Sequence, residues 1–221
     1  MLRSCSLFLL LSLVSCAPAT PPQLLPDNCQ AEAEVVQLID NNWLNQPGIW
    51  RLRQVTLLEI GHKKIPLEGF LRLDLIRGEA RLVAMNEMGL VLFDLVATAD
   101  GQQLQRAIPQ LQQVNGLAVG VAQSLRQIFL QPRPQMRDSL ENHMNTQRLQ
   151  RVLPGGNLRF VYDCRGDLRT TRLNADDGDW RVAYDHYYKF GTSRLPEQIV
   201  MNDYHHGVKL SLWVREVKQE L

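Results

Sequence analysis

His62, His143, His186 and the adjacent pair His205-His206 are the side chains best suited to hold a metal or move a proton, and their spacing argues against both. A zinc protease needs two histidines one helical turn apart with a glutamate between them, and no such arrangement occurs. His205 and His206, read as the end of a strand, would point to opposite faces. Asp176-Asp177-Gly178-Asp179 has the composition of a calcium loop but lacks a ligand at every second residue and the later glutamate, so it reads as a hairpin turn. No glycine-rich phosphate loop follows a strand, and no serine occupies a nucleophile elbow. Cys164 has Arg165 beside it but no base. The pattern predicts no enzyme, no metal and no cofactor, and an enzyme survives only as the third reading because spatially assembled sites leave no local motif.

The cysteines carry a different chemistry. Arg3 precedes an apolar run, Leu7 to Val14, that is too short to span a bilayer. The run closes on Leu13-Val14-Ser15-Cys16, which resembles a lipobox. Residues 1–15 are therefore expected to be a signal peptide cleaved before Cys16. That cysteine would carry a thioether-linked diacylglycerol and an amide-linked chain such as palmitate, more than the two signals that stable anchoring needs. Ala17 and Pro18 follow where an inner-membrane lipoprotein typically has aspartate, which favours the periplasmic face of the outer membrane. Cys5 leaves with the signal, so Cys29 and Cys164 remain. In an oxidising periplasm such a pair favours a disulfide; two buried free thiols are the alternative, because sequence does not show whether the Cβ atoms meet.

Removing residues 1–15 takes away Arg3 alone and leaves 23 cations from 24 against 23 anions. A neutral chain makes no electrostatic case for nucleic acid or for an anionic membrane surface. With 45% apolar residues there is material for a sizeable core.

The elements follow from periodicity. Residues 16–26 form the acylated cysteine and a proline-rich tether, and 27–221 a single domain. Asp27 reads as an N-cap with Gln30 three residues on, opening a helix through Val35, Val36, Leu38, Ile39 and Trp43 that Pro47-Gly48 ends. Alternation then predicts strands near 49–60, 64–77, 79–86 and 89–99, joined at Gly61-His62, Arg77-Gly78 and Met88-Gly89 as an antiparallel meander requires. Leu111, Val114, Ala118, Val121, Leu125 and Ile128 recur at helical spacing, predicting one helix between 109 and 130. Gly116 and Gly120 beside that stripe would let it sit close to a sheet or ligand, packing being the blander reading. After Pro132 and Pro134, strands are expected near 144–153, 156–164, 167–174, 179–189, 197–205 and 207–217. The fold class is mainly β with helices (α+β): about ten or eleven strands in a curved antiparallel sheet, its concave side covered by the two helices.

Four local stretches stand in an order that is shared with a known family: Asn86-Glu87-Met88-Gly89, Ser124-Leu125-Arg126-Gln127, Trp180-Arg181-Val182-Ala183-Tyr184 and Leu195-Pro196. In these the chain resembles LolB, the outer-membrane receptor for lipoproteins, and its periplasmic carrier LolA. More narrowly it is similar to a group of bacterial lipoproteins often encoded beside aryl polyene genes. The resemblance implies a half-open barrel lidded by helices. It also implies a turn that enters the membrane, with Met88 where LolB has leucine. That methionine and the Cys29, Cys164 pair depart from LolB and put receipt of general lipoprotein cargo in doubt.

On this reading an apolar cavity lined by Leu71, Leu73, Leu82, Leu92, Val121, Leu125, Phe160, Trp180 and Tyr184 takes a lipid or acylated ligand. A LolA-like carrier or a lipid exporter would be the partner. Phe160, Tyr162, Trp180, Tyr184, Tyr187 and Tyr188 form a set that is more often sheet core than a ligand box, and a shared interior could be both. The rival reading is a non-catalytic scaffold that docks an export machine through Phe70, Ile76, Val91 and Phe93.

Overall fold

The computed structural model describes residues 29–176 and 178–220. Cys16, the tether, the N-cap expected at Asp27 and residue Asp177 lie outside them. Five strands come first: β1 (Ile49–Ile60), β2 (Lys63–Asp74), β3 (Glu79–Met85), β4 (Val91–Ala97) and β5 (Gln102–Ala107). Seven follow: β6 (Ser139–His143), β7 (Thr146–Leu153), β8 (Gly156–Asp163), β9 (Leu168–Ala175), β10 (Gly178–Phe190), β11 (Ser193–Asp203) and β12 (Val208–Glu220). All twelve form one antiparallel sheet in the order β5-β4-β3-β2-β1-β12-β11-β10-β9-β8-β7-β6. The chain starts at the centre, meanders out to β5, crosses to the far edge and meanders back until β12 pairs with β1. The sheet is curved and unclosed.

Twelve strands exceed the ten or eleven expected because β5 and β6, the two edges, were not legible. Gln-Gln-Leu-Gln-Arg-Ala and Ser-Leu-Glu-Asn-His are polar on both faces, as suits edges that must not recruit another strand, so neither alternates.

The helices differ more. Between β5 and β6 runs α2 (Pro109–Gln112), then α3 (Leu117–Leu125), then a π-helical turn over Arg126–Leu130. Gly116, at φ +78°, breaks the single helix expected there, since that backbone angle leaves the helix while the apolar spacing carries on across the gap. A Cβ at Gly116 or Gly120 would meet nothing within 4 Å, so neither glycine marks a close approach.

The first helix is shorter than expected. A helix labelled α1 (Val35–Asp40) opens at Glu34, which forms a reciprocal capping box with Gln37. Residues 29–34 are not helical because they are tied down elsewhere. Cys29 is bonded to Cys164, and the Gln147 side chain accepts from the Ala33 amide at 3.1 Å and donates to the Ala33 carbonyl at 2.7 Å. A 3-10 turn, Trp43–Asn45, follows, with the Asn42 side chain capping it.

Register puts one residue in two on the helix-covered face. Across β12, β1, β2 and β3 one inner row reads Val217, Leu52, Leu71 and Leu82, and the next Val214, Gln54, Gly69 and Ala84. On the other half Trp180, Val182, Tyr184, Leu158, Phe160 and Tyr162 are buried and join the same hydrophobic cluster.

Candidate functional site: the covered face and the turn-bearing end

The covered face is closed by aromatic packing. Trp43 meets Trp50 edge-on with ring centroids 5.7 Å apart and Phe129 at 6.3 Å, and Trp50 meets Phe190 at 6.0 Å. The Tyr184 hydroxyl donates to the Ile128 carbonyl at 3.2 Å, so a strand side chain holds the π-helical turn down. At the open edge Arg126 donates to the carbonyls of Thr98 and Gly101, both at 2.6 Å, and ties the same turn to the β4–β5 connection. Burial pushes the phenols of Tyr162 and Tyr184 well up, which keeps them neutral at any physiological pH.

Of the residues expected to line a cavity, Leu71, Leu73, Leu125, Phe160, Trp180 and Tyr184 are buried in this packed cluster. They touch one another's neighbours rather than an open space: a water-sized void against them would leave surface accessible, and almost none is. Leu82, Leu92 and Val121 are only partly buried, together with Leu104, Leu111 and Ala118, where α2 and α3 lie over β3 to β5. The cover is thinnest there.

Among the described residues several buried polar atoms have no hydrogen-bond partner, including the indole N–H of both Trp43 and Trp50 and the side-chain oxygens of Gln54 and Gln127. Two lie in the cover and two on the sheet beneath it. Such groups are costly to bury unpaired. None was legible in sequence, since pairing depends on what the fold brings near.

The structure places Met88 at the tip of the β3–β4 turn, 87% exposed, with Leu90 beside it at 55%. The turn is rigid: the Asn86 side-chain oxygen accepts from the amides of Met88 at 3.0 Å and Leu90 at 2.9 Å, and Gly89 takes φ +78°. Met88 is not folded back on the sheet. Sequence reasoning missed Leu90 and the clamping role of Asn86, although Asn three residues before Gly is a usable turn signal. Antiparallel order puts this turn at the same end of the sheet as the β1–β2, β7–β8 and β11–β12 turns, where Ile60, Ile65, Val152 and Tyr204 are exposed. The Cys29–Cys164 disulfide, beside the β8–β9 turn, is at the opposite end.

The remaining candidates separate. His205 and His206 lie in a turn, not on a strand, with rings 4.7 Å apart, and His206 is held by Asp203 at 2.9 Å. Among the described residues no group of three metal-binding side chains converges. Asp176 is in the β9–β10 turn and Asp179 pairs with Arg172 at 3.1 Å. Phe93, expected to feed an outer contact, is instead buried on the inner face against Ala84, because it alternates in phase with Leu95 and Ala97, which are buried on the same face of β4. Phe70 is exposed on the outer face, in a shallow groove of about 490 Å³ with Arg51, Arg53, Arg72, Arg81 and Val83. Its arginines are largely neutralised by Glu220, Glu216, Glu68, Glu79 and Asp94. Ile76 is exposed in the β2–β3 turn and Val91 partly buried.

The backbone can be set beside solved structures. A LolA superfamily protein from Nitrosomonas europaea superposes with a TM-score of 0.53 over 85% of this chain and 92% of its own, at 9% identity. The chain has a LolA-like fold. A domain from Vibrio parahaemolyticus described as an outer membrane lipoprotein-sorting protein gives 0.50 over 84% of this chain and 91% of its own, at 8% identity. No protein-family model matches the sequence, and no curated protein does. Among the described residues no helix of this LolA-like chain is long and apolar enough to cross a membrane.

Proposed function

We propose that this is an envelope lipoprotein, acylated at Cys16 and held on the periplasmic face of the outer membrane, that takes a lipid or acylated ligand between its sheet and its helical cover. The observation that carries the reading is the seam under α2 and α3, where the cover is broken at Gly116 and Leu82, Leu92, Leu104, Leu111, Ala118 and Val121 are only partly buried. An acyl or polyene chain entering there would displace weak packing first, and its polar linkage would find the unpaired indole and amide groups. Binding of this kind draws on buried apolar area, about 25 cal/mol per Å² before ordering costs, and involves no covalent chemistry. The Met88–Leu90 tip is the part that enters the bilayer on delivery, and a LolA-like carrier or a lipid exporter is the partner.

The filled interior favours a second reading, an assembly scaffold in which the same side chains are simply core and an outer face docks an export machine. One experiment decides between them. Mass spectrometry of the protein purified without detergent, followed by titration with a fluorescent fatty acid, is expected to show bound or acquired lipid. Absence of both assigns the chain to the scaffold reading.

A further inference from the structure

The mature chain is neutral, yet the register sorts its charges. Following the pairs across the outer face, Arg159 stands opposite Arg172, Arg172 opposite Arg181, Arg181 opposite Asn202, Asn202 opposite Lys209, Lys209 opposite Glu59 and Glu59 opposite Lys64. Five cations thus share one row with a single carboxylate in it, and three of them are arginines directly opposite one another on adjacent strands. Like charges in that position destabilise a sheet. The compensation is partial: Glu59 binds Lys209 at 2.7 Å and Lys64 at 3.4 Å, and Asp179 binds Arg172 at 3.1 Å. Arg159 and Arg181 are exposed and have no carboxylate within 4.0 Å among the described residues. The arginine row in the outer groove differs, since each of its arginines has its own acid.

A row that crosses strands runs parallel to the line of turns at their end. Lys64 and Lys209 are two residues from the turn glycines or histidines, and Arg159 and Arg181 about four, so the row lies roughly 7–14 Å behind the tips. Those tips are apolar: Met88, Leu90, Ile60, Ile65, Val152 and Tyr204. Among the described residues Glu87 and Asp176 lie in the turns beside them and Asp179 and Asp203 at the adjoining strand ends, against Lys63 and His62; Asp179 is engaged by Arg172 and Asp203 by His206.

We propose that this end of the sheet rests on an anionic phospholipid surface, its apolar tips entering the bilayer and Arg159, Arg172, Arg181, Lys209 and Lys64 lying in the headgroup layer. Phosphate groups then supply the charge that the sheet withholds, and the depth matches the reach of surface electrostatics. The anchor allows it. Cys29 is at the far end of the sheet, thirteen residues after Cys16, and thirteen extended residues reach about 43 Å, the length of a twelve-residue strand. The inference concerns the seat of the protein and stands or falls apart from its cargo.

The test uses the acylated protein in vesicles of phosphatidylcholine, with and without phosphatidylglycerol, and reads lysine acetylation by a water-soluble reagent. Lys64 and Lys209 are expected to react at least about fivefold more slowly when phosphatidylglycerol is present, while Lys189 and Lys218, exposed toward the other end, are unchanged. High salt, or Arg159→Glu with Arg181→Glu, should abolish the difference, and the double reversal should do so without lowering the melting temperature, since it sets acids opposite Arg172. Equal protection of Lys64 and Lys209 in both vesicles overturns the proposal. If the double reversal then still impairs envelope function in cells, the row faces an acidic protein instead. Fatty-acid uptake measured in the same samples reports on the cargo reading separately.

Discussion

Replacing Gln54 with methionine should make the protein more stable and a poorer ligand binder. Gln54 is 2% exposed on the inner face of β1, and its side-chain oxygen has no partner among the described residues. Turning the amide the other way leaves a donor unpaired instead. The site is crowded: a Cβ on Gly69, the residue opposite, would come within 3.3 Å of the Gln54 side chain and 3.1 Å of Leu82. Methionine keeps the unbranched shape and removes the polar end, whereas leucine would collide. An unpaired buried polar group costs about 1–3 kcal/mol, so the substitution should stabilise by about 1–2 kcal/mol, or about 2–8 °C in a domain of this size. Urea denaturation with an unchanged slope would measure it. If the amide is retained for a ligand, the same variant takes up fluorescent fatty acid less well, a trade of function for stability. A methionine variant less stable than wild type would show that the amide is satisfied, and the argument for polar groups held in reserve would fail. Gained stability with unchanged uptake would strip Gln54 of a ligand role.

Met88→Glu leaves folding within about 0.5 kcal/mol, since the side chain is exposed, but impairs transfer of bound lipid to liposomes; unchanged transfer denies the turn a delivery role. Cys29→Ser with Cys164→Ser opens a cross-link 135 residues apart and should lower stability by about 2–5 kcal/mol, read from the denaturation midpoint. Thiol labelling of both cysteines in the denatured, unreduced protein would refute the bond. Asp163→Asn keeps an oxygen for the amides of Arg165 and Asp167. Burial holds the Asp163 carboxyl above its ordinary 3.8, so its charge opposes folding at neutral pH and ceases to do so as acid protonates it. The asparagine variant should therefore be the more stable above that ordinary value and lose its advantage below it. An advantage that does not vary with pH would contradict this.

Local pattern was enough for ten of the strands, because a strand with one buried face must alternate, and Leu71, Leu73, Leu158 and Phe160 do. For Cys29 and Cys164 an oxidising compartment favoured a disulfide over two free thiols but could not decide between them, because whether the Cβ atoms meet is set by the fold; the structure bonds the two. Local pattern failed at β5 and β6, whose edge positions remove the need for alternation, and at Gly116, where apolar spacing continues through a backbone that is not helical. Whether the interior is hollow could not be read from side-chain types, since packing is a property of volumes brought together from strands far apart. Charge was the least legible. A sum over the chain comes to only +1, and the pairing of β8 with β9, β9 with β10, β10 with β11 and β11 with β12 is what gathers Arg159, Arg172, Arg181 and Lys209 into one line, because register sets which distant charges become neighbours.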